Sequence, residues 1–237
     1  MTMSTLLIRL AGPMQSWGTQ SRFTDRDTGR EPSKSGVVGL LCAALGKPRR
    51  EEGTQEWPTL AELAALRMGV RVDREGVLLS DYHTAGGAHR RGERYGVVTA
   101  EGKRGDPVTS RRHYLADADF LVGLEGERGL LTRLDRALAW PVWQIFLGRK
   151  SFVPGFPVRL PEGPPVGPGL REEALEEALA SYPFVSLGER PERLRVVVDA
   201  PAGSTAELRW DVPVSYERRE FAIRNVETRW VTTPPGV

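Results

Sequence analysis

The sequence predicts an α+β protein: a first domain over residues 1–150 with two helices and an inserted β-hairpin, then a smaller β-rich domain over 151–237. Short apolar or alternating runs in the first part are interrupted by two helix-spaced segments. Residues 85–112 lose apolar side chains and gain cations, and strand-like runs return after a Pro/Gly-rich stretch at 154–169. With 237 residues, 40% hydrophobic and 27% charged, the chain can bury a sizeable core, which excludes wholesale disorder. A formal net charge of +2 excludes a uniformly basic protein, so any polyanion site must be a local concentration of charge.

Residues 4–11 read as a strand, because Leu6-Leu7-Ile8-Arg9-Leu10-Ala11 is short, apolar and stopped by Gly12-Pro13. A polar loop over 19–32 leads to a helix over 35–45, with Ser33 or Ser35 as N-cap and Gly46 then Pro48 beyond its end. Nearly every side of that helix is apolar or small, so it lies buried against a sheet, and Gly36 and Gly39 let its backbone come close. A short helix over 60–66 precedes Arg67-Met68-Gly69-Val70-Arg71-Val72-Asp73, whose alternation marks a half-exposed strand. Residues 77–84 give another.

Over 85–112, Arg90, Arg91, Arg94, Lys103, Arg104, Arg111 and Arg112 outnumber Glu93, Glu101 and Asp106. Tyr95-Gly96-Val97-Val98-Thr99 inside this stretch predicts a long β-hairpin with a basic tip. A strand over 113–124 follows, then a helix carrying Leu130, Leu131, Leu134, Ala137 and Leu138, then a strand over 142–147. Without the insertion the order is β-α-β-β-α-β, that of a ferredoxin-like or RNA-recognition-like fold: a four-stranded antiparallel sheet with two helices on one face. Residues 154–169 read as a linker. A helix over 170–182 stops at Pro183, and strands near 194–199, 206–212 and 221–230 build the smaller β-rich domain.

The single cysteine, Cys42, sits in an apolar run and reads as a buried, inert thiol. The N-terminus lacks the pattern of a secretory signal, and no apolar run is long enough to span a bilayer, so a cytoplasmic setting without membrane contact is expected.

Lys34-Ser35 at a helix start resembles the end of a phosphate-binding loop, but Ser33 and Thr28 stand where such a loop needs glycines. Nucleotide hydrolysis is therefore not expected, although a helix start could take one phosphate of a polymer. His83, His89 and His113 lack metal-ligand spacing, so no metal or other cofactor is expected. His113 beside Arg111, Arg112 and Tyr114 has the makings of acid–base RNA cleavage. Gly148-Arg149-Lys150-Ser151 puts two cations and a hydroxyl at one strand exit, a pattern suited to phosphates. Gln15, Ser16 and Trp17 combine two hydrogen-bonding side chains with a large aromatic just past the first strand, a combination that reads unstacked bases. Of these, Gln15 and Ser16 are the expected contacts, while Trp17 could equally be core packing that holds them.

Five segments together resemble one family: 9–18 (RLAGPMQSWG), 32–41 (PSKSGVVGLL), Asp81-Tyr82-His83-Thr84, 110–118 (SRRHYLADA) and 146–151 (FLGRKS). They are similar to the CasD family, the Cas-five-group subunit of the type I-E CRISPR surveillance complex, Cascade. The resemblance implies an RNA-recognition-like fold whose hairpin is a protruding "thumb". It implies binding of the 5′ handle of the guide RNA (crRNA), beside a Cas-seven-group backbone subunit, the large CasA subunit and other Cascade subunits. It also implies no catalysis, although a related branch cleaves RNA with Tyr, His and Lys. The expected RNA-binding residues are Gln15, Ser16, Trp17, Lys34, Ser35, His83, Arg90, Arg91, Arg94, Arg111, Arg112, His113, Tyr114, Arg149, Lys150 and Ser151. The alternative function is a metal-independent endoribonuclease that processes CRISPR repeat RNA.

Overall fold

Leu6, Ile8 and Leu10 point to one side of the first strand and Leu7 to the other, and all four are fully buried. A strand with both faces buried needs cover on both sides. The structure, a computed structural model, describes residues 3–19, 24–50, 56–86, 96–98, 101–103, 105–164, 166–201 and 206–236. Along the chain run β1 (Met3–Ala11), β2 (Met14–Gln15), β3 (Asp25–Arg26), α1 (Lys34–Leu45), α2 (Leu60–Ala65), β4 (Arg67–Arg74), β5 (Val77–Ala85), β6 (Val108–Ala116), β7 (Asp119–Glu127), α3 (Arg128–Ala139), β8 (Leu170–Arg171), α4 (Leu175–Ser181), β9 (Arg193–Asp199), β10 (Glu207–Ser215) and β11 (Glu220–Thr232).

The architecture is mixed α+β, mostly antiparallel sheet with few helices. One sheet has seven strands in the order β10-β11-β9-β4-β7-β1-β8. In the second, β6 pairs with β5 along its length and with β2 and β3 on its other side. Helices α1 and α3 cover one face of the large sheet, where Val37, Val38, Leu41, Leu131 and Leu134 meet Leu6, Ile8, Val70 and Val122. Helix α4 covers the other face, where Leu175 and Leu179 meet Leu7, Leu121, Val196 and Val198. At Gly69 and Gly123, paired across β4 and β7, a Cβ would come within 2.7 and 2.6 Å of Leu179 and Leu175, so these glycines let α4 lie flat on the sheet. Among the described residues no helix is long and apolar enough to cross a membrane.

The helix expected over 35–45 is α1, capped by Ser33, which accepts from the Gly36 amide, and closed by Gly46 in the left-handed region. The two arms of the expected hairpin are β5 and β6, in register from Val77↔Ala116 to Ala85↔Val108. Its expected basic tip lies largely outside the described residues, and Arg90, Arg91 and Arg94 lie outside them altogether.

Four expectations are corrected. The single strand over 113–124 is two strands, because Asp117 turns with φ +54° and the chain passes from the hairpin into the large sheet. No strand forms over 142–147: the Val142 and Trp143 amides donate instead to Ala44 and Ala43 carbonyls at the end of α1 (both 3.0 Å). The stretch read as a linker lies along the edge of β1 instead, where Val158 and Gly169 carbonyls accept from Arg9 and Leu7 (3.0 and 2.8 Å). The helix expected over 170–182 starts later, since Leu170 and Arg171 pair with Leu6 and Thr5. Strands β9, β10 and β11 continue the large sheet, β9 pairing antiparallel with β4 from Gly69↔Val198 to Val72↔Arg195.

Candidate nucleic-acid interface

Strand β6 carries Arg111, Arg112, His113 and Tyr114, and its neighbours fix what surrounds them. Parallel β3 sets Arg26 beside Arg112, and antiparallel β5 sets Asp81 beside it from the other side. Arg112 Nε donates to Ser110 Oγ at 3.0 Å, two positions back on the same face. The Gly148–Ser151 segment reaches this face in a tight turn, closed by Leu147 N donating to Phe152 O (2.7 Å) and Phe152 N donating to Arg149 O (2.9 Å). Arg149 stacks over the Phe152 ring at 5.5 Å, and Phe152 in turn packs on Tyr114 at 5.8 Å. Its Nη2 donates to the Arg26 carbonyl at 3.3 Å, with the Asp27 carbonyl at 3.5 Å.

Arg26, Arg112 and Arg149 thus form one cationic cluster. Burial pushes the Arg149 guanidinium below its ordinary value, and the like charges of Arg112 and Arg26 push it the same way, only partly opposed by Asp27 and Asp81. Cations held together against their own repulsion gain when a polyanion arrives. Lys150 and Ser151 are exposed at the tip of the same turn.

His113 Nε2 lies 3.4 Å from Asp25 Oδ1, its side chain about one-third exposed. Tyr114 is packed on Phe152, and adjacent strand residues face opposite sides, so His113 and Tyr114 do not converge on one point. His83 lies on exposed β5 with Nδ1 3.4 Å from Asp81 Oδ2. Arg111 is exposed, and its amide donates to Thr24 O at 2.7 Å.

Gln15, Ser16 and Trp17 lie inside the protein rather than on this surface. The Gln15 amide donates to Leu10 and Ala118 carbonyls (2.9 and 2.7 Å) and accepts from Trp17 Nε1 (3.1 Å), leaving the residue fully enclosed. Trp17, 2% exposed, packs against Gly36 at the start of α1, where a Cβ would come within 2.9 Å of the indole. Lys34 is buried too: its Nζ meets Asp199 Oδ2 at 2.9 Å, and its backbone amide donates to Asp211 Oδ2 at 2.8 Å. The anion favoured at this helix start is therefore a carboxylate of the chain itself, held in place by Arg224, which bonds both Asp199 and Asp211. Ser35 gives its carbonyl to the Tyr216 hydroxyl at 2.5 Å.

Sequence reasoning missed Arg26 and Phe152. Arg26 stands between Asp25 and Asp27, so no run of like charge marks it, and Phe152 reads as an ordinary strand-exit aromatic.

The sequence model of a family of CRISPR-associated proteins, Cas_Cas5, matches residues 5–227. The chain is 36% identical over 159 residues to a protein of Escherichia coli (strain K12) described as CRISPR system Cascade subunit CasD, a match covering 62% of this chain and 66% of that one. A solved structure described as a Cas protein shares 44% identity at a TM-score of 0.74, covering 98% of each chain. A chain from a structure described as a CRISPR RNA-guided surveillance complex shares 32% identity at a TM-score of 0.74, covering 98% of this chain and 91% of that one. With a family match across nearly its whole length, the chain belongs to the Cas_Cas5 family of CRISPR-associated proteins.

Proposed function

We propose that the chain is a non-catalytic, crRNA-binding subunit of a type I-E Cascade surveillance complex, working in the cytoplasm. The observation that carries this reading is the Arg26–Arg112–Arg149 cluster, three guanidiniums gathered from distant parts of the chain onto one face of the β5–β6 hairpin. Such a face holds the phosphates of a single RNA strand, with Lys150 and Ser151 at its margin and Arg111 and His113 on the opposite side of β6. In this reading the RNA is the 5′ handle, the hairpin is the thumb, and neighbouring surfaces meet the Cas-seven-group and CasA subunits. Strands β1, β4 and β7 with α1 and α3 form a ferredoxin-like unit, its fourth strand reduced to β8 and the segment along the β1 edge. Binding without cleavage fits the divergence of His113 and Tyr114 onto opposite faces of β6.

Co-purification tests the reading. Cascade assembled with Arg149→Glu/Lys150→Glu should lose crRNA, seen as a lower 260/280 nm absorbance ratio, while the subunit itself stays folded. Undiminished crRNA retention overturns the reading. Incubation of the full chain with CRISPR repeat RNA in EDTA should leave the RNA intact; cleavage abolished by His113→Ala would instead establish a ribonuclease.

A further inference from the structure

Ser16 touches each of the three segments that bring the arginines together. Its amide donates to the Leu147 carbonyl at 3.1 Å, two residues before Arg149. Its Oγ lies 3.2 Å from the His113 carbonyl, next to Arg112, and 3.4 Å from the Asp27 carbonyl, next to Arg26, with its one proton shared between them. The Ser16 carbonyl sits against Gly148, whose φ is +91° and where a Cβ would fall 1.8 Å from that oxygen. Asp27 O, which Ser16 approaches, is also one of the two carbonyls facing the Arg149 guanidinium. The residue is 6% exposed, so this hub is built from inside the protein.

We propose that Ser16 is a positioning residue for the RNA site: it holds β3, β6 and the 147–152 turn in one register so that Arg26, Arg112 and Arg149 meet the same stretch of RNA backbone. Gly148 is the complementary half of the latch, since only a residue without a Cβ lets the turn close on the Ser16 carbonyl. The inference rests on the RNA-binding reading above and adds a specific role for a side chain that never touches RNA.

The test is RNA affinity of the full chain at several salt concentrations, using a labelled single-stranded RNA with the sequence of the guide's 5′ handle. Wild type, Ser16→Ala, Arg149→Ala and the double variant are compared, with folding followed by near-UV circular dichroism. Ser16→Ala should weaken binding about fivefold and flatten the slope of log K against log salt by about 0.7, the loss of one single-strand phosphate contact. The double variant should lose less than the product of the two single effects, because Ser16 Oγ reaches the Asp27 carbonyl that also faces the Arg149 guanidinium, so the two substitutions share one contact. A slope unchanged by Ser16→Ala, or effects that multiply in the double variant, overturns the positioning role while leaving RNA binding intact. If Arg149→Ala changes neither affinity nor slope, the RNA-binding reading itself falls, and the positioning role with it. Should Ser16→Ala fail to fold, Gly148→Ala opens the latch from its other side and is judged by the same slope and the same non-additivity.

Discussion

The ammonium of Lys34 lies 2.9 Å from the carboxylate of Asp199, 165 positions later in the chain, and both side chains are largely hidden from water. The pair ties the first turn of α1 to the end of β9. With Asp211 and Arg224 it makes a buried group of two cations and two anions. Lys34→Met removes one cation and leaves a buried negative charge without compensation, which should cost about 3–5 kcal/mol. Urea unfolding gives the number; a loss within 1 kcal/mol would mean the pair is dispensable.

The same group predicts an acid response. Burial raises the Asp199 carboxyl, but Arg224 and Lys34, with hydrogen bonds from Lys34 and the Met68 amide, more than offset this and hold it below its ordinary value. A carboxyl whose folded value is depressed contributes stability that is fully present above the unfolded value of about 3.9. That stability is lost as pH falls from there through the folded value. In Lys34→Met one of the offsetting charges is gone, so the folded value draws toward the unfolded one and stability should fall less steeply with acid than in wild type. Unfolding followed against pH by near-UV circular dichroism checks the direction.

Gln15→Ala should destabilise by about 3 kcal/mol, since it strands the Leu10 and Ala118 carbonyls and the Trp17 indole N–H in the interior. A change below 1 kcal/mol in urea unfolding would show that Gln15 is not structural.

Arg149→Met keeps most of the aliphatic stem and removes the charged guanidinium that lies over Phe152. Relief of repulsion with Arg112 and Arg26 should raise Tm by about 2 °C, while RNA affinity falls about tenfold, or about 1.4 kcal/mol. Opposite signs for stability and binding mark a charge retained for its ligand. A fall in both would mark Arg149 as structural.

What was legible in the sequence was local. The Gly12-Pro13 stop of β1, the Ser33 cap and Gly46 end of α1 and the arms of the hairpin all follow from neighbouring residues. The adjacent cations Arg111-Arg112 and Arg149-Lys150 advertised the charged surface for the same reason. Lys34, Gln15 and Ser16 were misplaced because their partners lie elsewhere: Asp199, Ala118 and His113. Polarity in a loop argues for exposure only until a distant carboxylate or carbonyl is known to be waiting for it. Val142 and Trp143 misled for a related reason, since a β-like run forms no strand when its amides are taken by the end of a helix.

The Lys34 ion group also sets an order of events during synthesis. When α1 leaves the ribosome its lysine has no carboxylate to pair with; Asp199 and Asp211 emerge 165 and 177 residues later. Until then the helix cannot settle its first turn into the interior, and the growing chain holds its largest sheet unfinished at β4. Completion therefore waits for β9 and β10, which makes these strands a checkpoint: a chain cut short before β10 carries an arginine-rich surface on a fold that never closed.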